Sequence, residues 1–526
     1  VGYHLERGGY IDNVKLGIED INDEEANGGR VQLRYQPNDA FTLDLAVHLQ
    51  REDSQVGAWE HPLGDYRSLI PSQLPTQDDF ELYNLTAKWD LGFATLTGVG
   101  SLFNRDLRVT IDGTRFIQSL RATPLAPFLP AFNESVLDQP QDIEDRSFEL
   151  RLASNGEGPL VWTFGGYLEN RDAFTDSGHV QTDPLTGLRV TPTVFVFHRV
   201  VDDVLEQRAL FGEVSYDLTE ALTLTAGTRY FAYDKEVTGA TLVPFRPIGF
   251  PQVTPPQTSK FDEDGFVSKI NLAYQLGTRA LAYAQVSEGF RPGGVNQVVG
   301  LDQLLSAYEA DSTLNYELGL KTRWFENRMT ANFAAFRIDW EDMQVTGQSR
   351  TGQAVRFIAN AGQAQVDGVE LELVALPAKG LEVSLAGSYT DARLTENQVS
   401  ADVAAPGRKG DRIPNVPEYA GSLAVQYGRP LGAALFGSLR TDVSYVGETG
   451  SEFRQDDVLF DRIDAYTVAN MRLRLESMAS NWNVDLFVNN VFDEVAIGRI
   501  LSTRFGDNLT LSSPPRTIGL SLGKSF

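Results

Sequence analysis

In the segment FTLDLAVHLQ (41–50), Phe41, Leu43, Leu45, Val47 and Leu49 alternate with Thr42, Asp44, Ala46, His48 and Gln50. Alternation with period two predicts an extended strand with one apolar and one polar face. The same pattern returns in LNYELGLKTRW (314–324), FGSLRTDVSY (436–445) and WNVDLFVNN (482–490). Strands of this kind recur about 20 times from end to end, and helical periodicity of any length is nearly absent. In a soluble sandwich the apolar face turns to a protein core. In a membrane barrel it turns to lipid and the polar face lines the lumen.

The connections decide between these. Short turns (QPNDA, NGEG, DLTEA, LGTR, FENR, PAKG, GRPLG, SMASN) alternate with long polar stretches at 11–28, 51–79, 111–145, 173–203, 237–260, 291–312, 397–412, 448–460 and 497–512. One member of the long class, near 347–353, is brief. Tight turns on one side and long loops on the other is the pattern of an outer-membrane barrel. A propeller would instead repeat in four-stranded units. The reading is therefore an all-β, antiparallel, up-and-down transmembrane barrel over 1–526. Its last strand, RTIGLSLGKSF, ends on the periplasmic side and its long loops lie outside.

Composition changes the picture in two ways. With 45 basic and 71 acidic residues the net charge is −26, the opposite of a nucleic-acid footprint. Cysteine is absent, so there is no disulfide, thiolate metal site or cysteine nucleophile. The five histidines (His4, His48, His61, His179, His198) lack metal-ligand spacing, and no metal or cofactor is expected. A mean hydropathy of −0.22 does not argue for a soluble protein, because a barrel strand needs only every second residue apolar. No nucleophile elbow, HExxH, phosphate loop or dinucleotide fingerprint occurs, and an enzyme is not expected. The carboxylate-rich EDINDEE (19–25) lacks calcium-loop spacing and reads as a solvated loop.

Particular segments resemble the barrel half of TonB-dependent outer-membrane receptors. NNVFDEVA (489–496) is similar to the family's NLFD-type strand end, and SEGFRPGGVN (287–296) to its GFR-x-P break. YELGLKTRWFENRMTANFAAFRIDWEDMQV (316–345) is similar to a hairpin ending in D-x-x-Q-V. DGVELEL (367–373), DRIPNVPEY (411–419) and GGYIDN (8–13) match further segments, in family order. The resemblance implies a 22-stranded barrel of which about 20 strands are visible here, with an N-terminal plug domain and the first strands missing from this sequence. It further implies energy supplied by the TonB–ExbB–ExbD complex through that missing region. It places the chain, as a monomer, in the outer membrane of a Gram-negative bacterium among lipid and lipopolysaccharide. The C-terminal face of Leu520, Leu522 and Phe526 resembles the signal read by the barrel-assembly machinery, with Lys524 departing from it.

The expected function is TonB-dependent import of a scarce bulky nutrient, a ferric siderophore foremost. A carbohydrate or aromatic cargo would use the same mechanics, and a plugless diffusion porin is the alternative. Substrate-binding candidates combine aromatic and polar character on loops, because such groups anchor recognition surfaces and arginine forks fit carboxylate or catecholate oxygens. They are Trp59, His61, Tyr66 and Arg67 in one loop, Arg115 and Phe116 in a second, and Arg291, Asn296 and Gln297 after the GFR-x-P break. Trp89, Trp162, Tyr230, Tyr233, Trp324, Trp340, Tyr445 and Trp482 are expected at the membrane interfaces.

Overall fold

The structure, a computed structural model, describes residues 1–60, 63–121, 123–156, 158–245, 252–296, 307–348, 356–360, 362–398, 406–457, 459–477, 479–502 and 508–525. Twenty strands form one sheet. In chain order they are β1 (Gly2–Arg7), β2 (Glu24–Asn38), β3 (Phe41–Gln55), β4 (Pro75–Asp90), β5 (Ala94–Asp112), β6 (Ser135–Ser154) and β7 (Leu160–Gln181). There follow β8 (Phe195–Asp217), β9 (Leu222–Val243), β10 (Thr254–Leu276), β11 (Ala280–Arg291), β12 (Asp311–Trp324), β13 (Met329–Glu341) and β14 (Ala364–Ala378). The last are β15 (Leu381–Leu394), β16 (Tyr419–Pro430), β17 (Leu435–Val446), β18 (Tyr466–Ser477), β19 (Trp482–Asn489) and β20 (Thr517–Lys524). Each strand pairs antiparallel with the next in sequence. Among the described residues no ladder joins β1 to β20, so these two are the sheet's edges.

The register carries the apolar face unbroken around the sheet. Leu45 stands opposite Leu33 and Leu85, Leu318 opposite Ala284 and Ala335, and Leu385 opposite Leu373 and Leu423. Leu486 stands opposite Leu473 and Leu520. These side chains are bare of protein: Leu210 is 67% exposed, Leu318 63% and Leu522 72%. A band of naked leucine running round a sheet has only hydrocarbon as a solvent that does not penalise it. Two-residue alternation then fixes the opposite face as lumenal, and there the side chains are polar and paired. Arg34 forks onto Asp44 at 2.6 Å, Arg474 onto Asp485 at 2.7 Å, and the Tyr283 hydroxyl donates to Glu317 at 2.6 Å. Where a lumenal aromatic lies across its neighbour, that neighbour is glycine: any Cβ at Gly319 would strike the Tyr283 ring, and at Gly519 the Phe487 ring.

Aromatic residues edge the band as expected, with two exceptions. Tyr230 and Phe266 pack at 5.1 Å and Tyr389 and Tyr419 at 5.2 Å along its upper border, while Trp89 and Trp324 lie exposed near the turns. Tyr233 and Trp340 instead fall on the lumenal parity. Tyr233 is buried, and the Trp340 indole donates to Asp311 at 2.9 Å. Ile518, Leu520 and Leu522 point outward; Phe526 lies outside the described residues.

The strands run farther than the hydrophobic pattern. β8 and β10 each have 23 residues, about twice what crosses a bilayer. Their upper halves mix polar and apolar residues on both faces, with Val196, Phe197 and Val201 of β8 buried against neighbouring loops and strands, so regular alternation ends at the membrane while hydrogen bonding continues. The stretches expected as loops at 173–203 and 237–260 are therefore partly ladder.

Placing a charge on the outward face tests the assignment of lipid to that side. Leu318→Arg is expected to cost about 2–4 kcal/mol in denaturant unfolding from bilayers. Its lumenal neighbour variant Glu317→Gln should cost less than ~1 kcal/mol.

Candidate functional site

The long-loop end forms a crown of loops fastened to one another, and the residues singled out from the sequence sit in two parts of it. The first lies over the gap between β1 and β20. Trp59, in the β3–β4 loop, is fully buried. Its backbone exchanges two hydrogen bonds with Thr510 at 3.2 and 2.7 Å, and its indole donates to the Ser512 hydroxyl at 3.0 Å. Residues 508–512 belong to a hairpin in the β19–β20 loop, so this tryptophan clasps the two ends of the sheet together from above. Leu509 of the same hairpin packs against Ile70, Leu74, Val136 and Val180. Tyr66 packs between Trp59 and Tyr10 at 5.6 and 5.2 Å. Burial, aided by neighbouring Tyr10, Asp493 and Asp65, pushes its hydroxyl up to about 12, so it is a neutral donor at any physiological pH. Arg67 pairs through its backbone with Asp12 and leaves its side chain exposed.

Arg115 and Phe116 open the short helix α1 (Thr114–Arg121) inside the β5–β6 loop. Arg115 forms an ion pair with the buried Glu60, whose other oxygen accepts the Leu69 amide at 2.7 Å. Phe116 packs on Ile117, Leu120, Val196, Phe197 and Phe245 and stacks on His179. Sequence periodicity misses α1 because eight residues give barely two turns.

The second part stands over β11–β14. Arg291 directs its fork at Asp311, with Nε at 3.0 and 2.9 Å, and lies 5.1 Å from the Trp340 ring centroid. Asp311 is buried and also accepts the Gln344 amide at 3.1 Å. The Gln344 side chain in turn donates to the carbonyls of Pro292 and Glu309 at 2.9 and 3.1 Å. Asn296 is buried and exchanges two bonds with the backbone of Ile358 at 2.9 and 2.7 Å. These groups pin the loop after β11 to the hairpin of 344–348 with 356–360. His61 and Gln297 lie outside the described residues.

Asp311, Glu60 and Ser512 are central to this crown and were not singled out, and Gln344 entered only as part of the D-x-x-Q-V ending. Nothing local marks their contacts, since each gains its role from a partner distant in sequence. Taken together, Trp59, Tyr66, Arg115, Phe116 and Asn296 hold loops in place, while Arg67 and Arg291 keep guanidinium surface at the rim. No group of three or more His, Asp or Glu side chains suited to a metal occurs among the described residues.

A family model described as "TonB dependent receptor-like, beta-barrel" matches residues 7–491. The pesticin receptor of Yersinia pestis is 26% identical over 497 residues, covering 91% of this chain and 64% of that protein. The metal-pseudopaline receptor CntO of Pseudomonas aeruginosa is 26% identical over 258 residues, covering 49% and 33%. The chain thus spans less than two thirds of the length of these curated relatives. Among solved structures, the ferric yersiniabactin uptake receptor FyuA from Yersinia pestis superposes with a TM-score of 0.80 at 20% identity, over 98% of this chain and 73% of that one.

The clasp is open to a direct test. Trp59→Ala should release the hairpin, speeding amide exchange at Thr510 by about a hundredfold, equivalent to about 3 kcal/mol. Unchanged exchange at Thr510 would show that the seam is held elsewhere.

Proposed function

Because the chain belongs to the TonB-dependent receptor β-barrel family, we propose that it is the barrel of an importer that takes up a scarce, bulky nutrient at the expense of energy delivered through TonB. A ferric siderophore is the favoured cargo. The barrel lies in the Gram-negative outer membrane, and its family consists of receptors rather than enzymes. The observation that carries the import reading is the match of that family across residues 7–491 on a wide sheet whose lumenal face is polar and ion-paired. A curated relative whose name cites metal-pseudopaline favours a metal chelate over a carbohydrate or a plant-derived aromatic.

The unpaired edges of β1 and β20 support a longer parent protein. Exposed strand edges cannot face hydrocarbon, because each orphaned amide or carbonyl costs several kcal/mol. Two further strands would close the sheet at 22, and a lumen of that width takes a plug. We place that plug and the TonB contact on the missing N-terminal region, with the barrel a monomer inserted by the assembly machinery. Ligand would meet Arg67 and Arg291 at the crown, on a loop framework held by Trp59, Tyr66, Arg115, Phe116 and Asn296, with His61 and Gln297 on the same loops. Catalysis plays no part: TonB pulls on the plug, and the fixed barrel lets that pull open a path.

Deleting TonB in the native host should abolish uptake of the radiolabelled ferric siderophore and leave surface binding unchanged. Persistent uptake, with a large steady single-channel conductance from the intact protein, would instead identify a diffusion porin.

A further inference from the structure

β10 outruns one of its neighbours. Its ladder with β9 climbs from Tyr274 to Thr254, but its ladder with β11 stops at the pair of Lys269 and Ser287. Above that point the chain leaving β11 turns inward. The Gly293 amide donates to the Tyr233 hydroxyl at 2.8 Å, and Val295 packs with Phe261 on the lumenal side. From Thr254 to Ser268 the far edge of β10 therefore meets no ladder among the described residues. The opening begins at the level of Tyr230 and Phe266, at the upper border of the apolar band, where water replaces hydrocarbon and an unpaired amide is tolerated.

Three contacts fix which backbone groups that edge presents. The Gln275 amide donates to the Ala221 carbonyl at 2.7 Å, so odd-numbered residues of β10 turn their N–H and C=O to β9. Thr238 and Thr258 bring their hydroxyls to 2.8 Å, the close approach of a pair that exchanges no backbone bonds. The Ser268 amide points the other way and is capped by the Glu288 carboxylate at 2.8 Å. Even-numbered residues thus face the open edge. Glu288 blocks it below, and Pro256, which has no N–H, blocks it above. Between these stops Thr258, Lys260, Asp262 and Asp264 each present one donor and one acceptor, over about 20 Å.

Side chains select what can lie there. The same even-numbered residues point outward with Phe266, as strand alternation requires. Lys260 is spent on Glu236 at 2.6 Å. Asp262 stands opposite Asp234 of β9, which Arg208 approaches only to 3.9 Å, and Asp264 accepts the neutral Tyr230 hydroxyl at 3.3 Å. On this outer side Asp234, Glu236, Asp262, Asp264 and Glu288 outweigh Lys260 and Arg208. Cations opposite Asp262 and Asp264 are therefore favoured on an added strand. A second copy fits badly. Two barrels in one membrane stand the same way up, so a two-fold axis along its normal sets their β10 edges parallel, with Asp262 against Asp262.

We propose that this edge is a strand-addition site for an extended segment of an extracellular protein, running antiparallel to β10 with lysine or arginine opposite Asp262 and Asp264. The proposal depends on the crown facing outside the cell and not on the import reading.

The test uses the full-length protein in lipid nanodiscs, with hydrogen exchange resolved to single amides. The probe is a synthetic peptide matched to Thr258–Asp264, with lysine opposite the two aspartates and threonine elsewhere. In the free protein the amides of Lys260, Asp262 and Asp264 should exchange at least a hundredfold faster than those of Phe261, Glu263 and Gly265, which are bonded to β9. Adding the peptide should slow the first set at least tenfold, whereas the same peptide N-methylated on its edge-facing amides should not. Asp262→Lys with Asp264→Lys should keep the free exchange pattern and weaken the peptide about tenfold. Asp262→Asn with Asp264→Asn, read the same way, serves if the charge reversal disturbs the fold. Even-numbered amides already slow in the free protein, equal protection by the methylated peptide, or undiminished binding by the charge variants would overturn the assignment.

Discussion

Hydrocarbon offers a peptide group no hydrogen-bond partner, and the whole wall of this barrel follows from that. Twenty antiparallel strands satisfy one another's amides and carbonyls along ladders of up to 21 register pairs, as between β7 and β8. Because the ladder fixes side chains alternately in and out, one face can be surrendered to lipid and the other kept for charge. The apolar band is continuous across registers, and the lumenal face is a lattice of arginine–carboxylate forks. A sandwich would hide its leucines. Here they stand bare, Leu522 at 72% exposure.

The crown obeys a different rule. Above the membrane, water is available, the strands lose their strict alternation, and stability comes from small apolar clusters and specific knots between distant loops. Trp59 with Thr510 and Ser512 closes the seam, Glu60 with Arg115 ties one loop to the next, and Asp311 gathers Arg291, Trp340 and Gln344. A braced crown on a continuous wall fits the import proposed above. It also explains why so many aromatic and arginine groups there are occupied with neighbours: they set the shape of the mouth before any ligand reaches it.

How much of this could be read from the sequence divides along the same boundary. Within the bilayer the alternation of Phe41 to Leu49, of Leu314 to Trp324 and of Trp482 to Val488 named the strands and their lipid face. The turn-and-loop asymmetry named the architecture. Above the bilayer that signal vanishes, so the upper extensions of β7 to β10, where polar and apolar residues no longer alternate, read as loops and the helix at Thr114–Arg121 went unseen. Tyr233 and Trp340 were placed at the interface by residue type, whereas register turns them inward. Trp59 and Asn296 have the composition of ligand anchors, but their burial depends on Ser512 and Ile358, partners 453 and 62 residues away.

The absence of cysteine makes the central claim directly measurable. Single cysteines placed in turn at residues 314–321 of β12, spin-labelled and reconstituted in bilayers, report contact with dissolved oxygen or with a water-soluble nickel chelate. The account predicts oxygen contact at 316, 318 and 320 and chelate contact at 315, 317 and 321, a strict two-residue rhythm. Loss of that rhythm, or its reversal, would contradict the assignment of lipid to the apolar face.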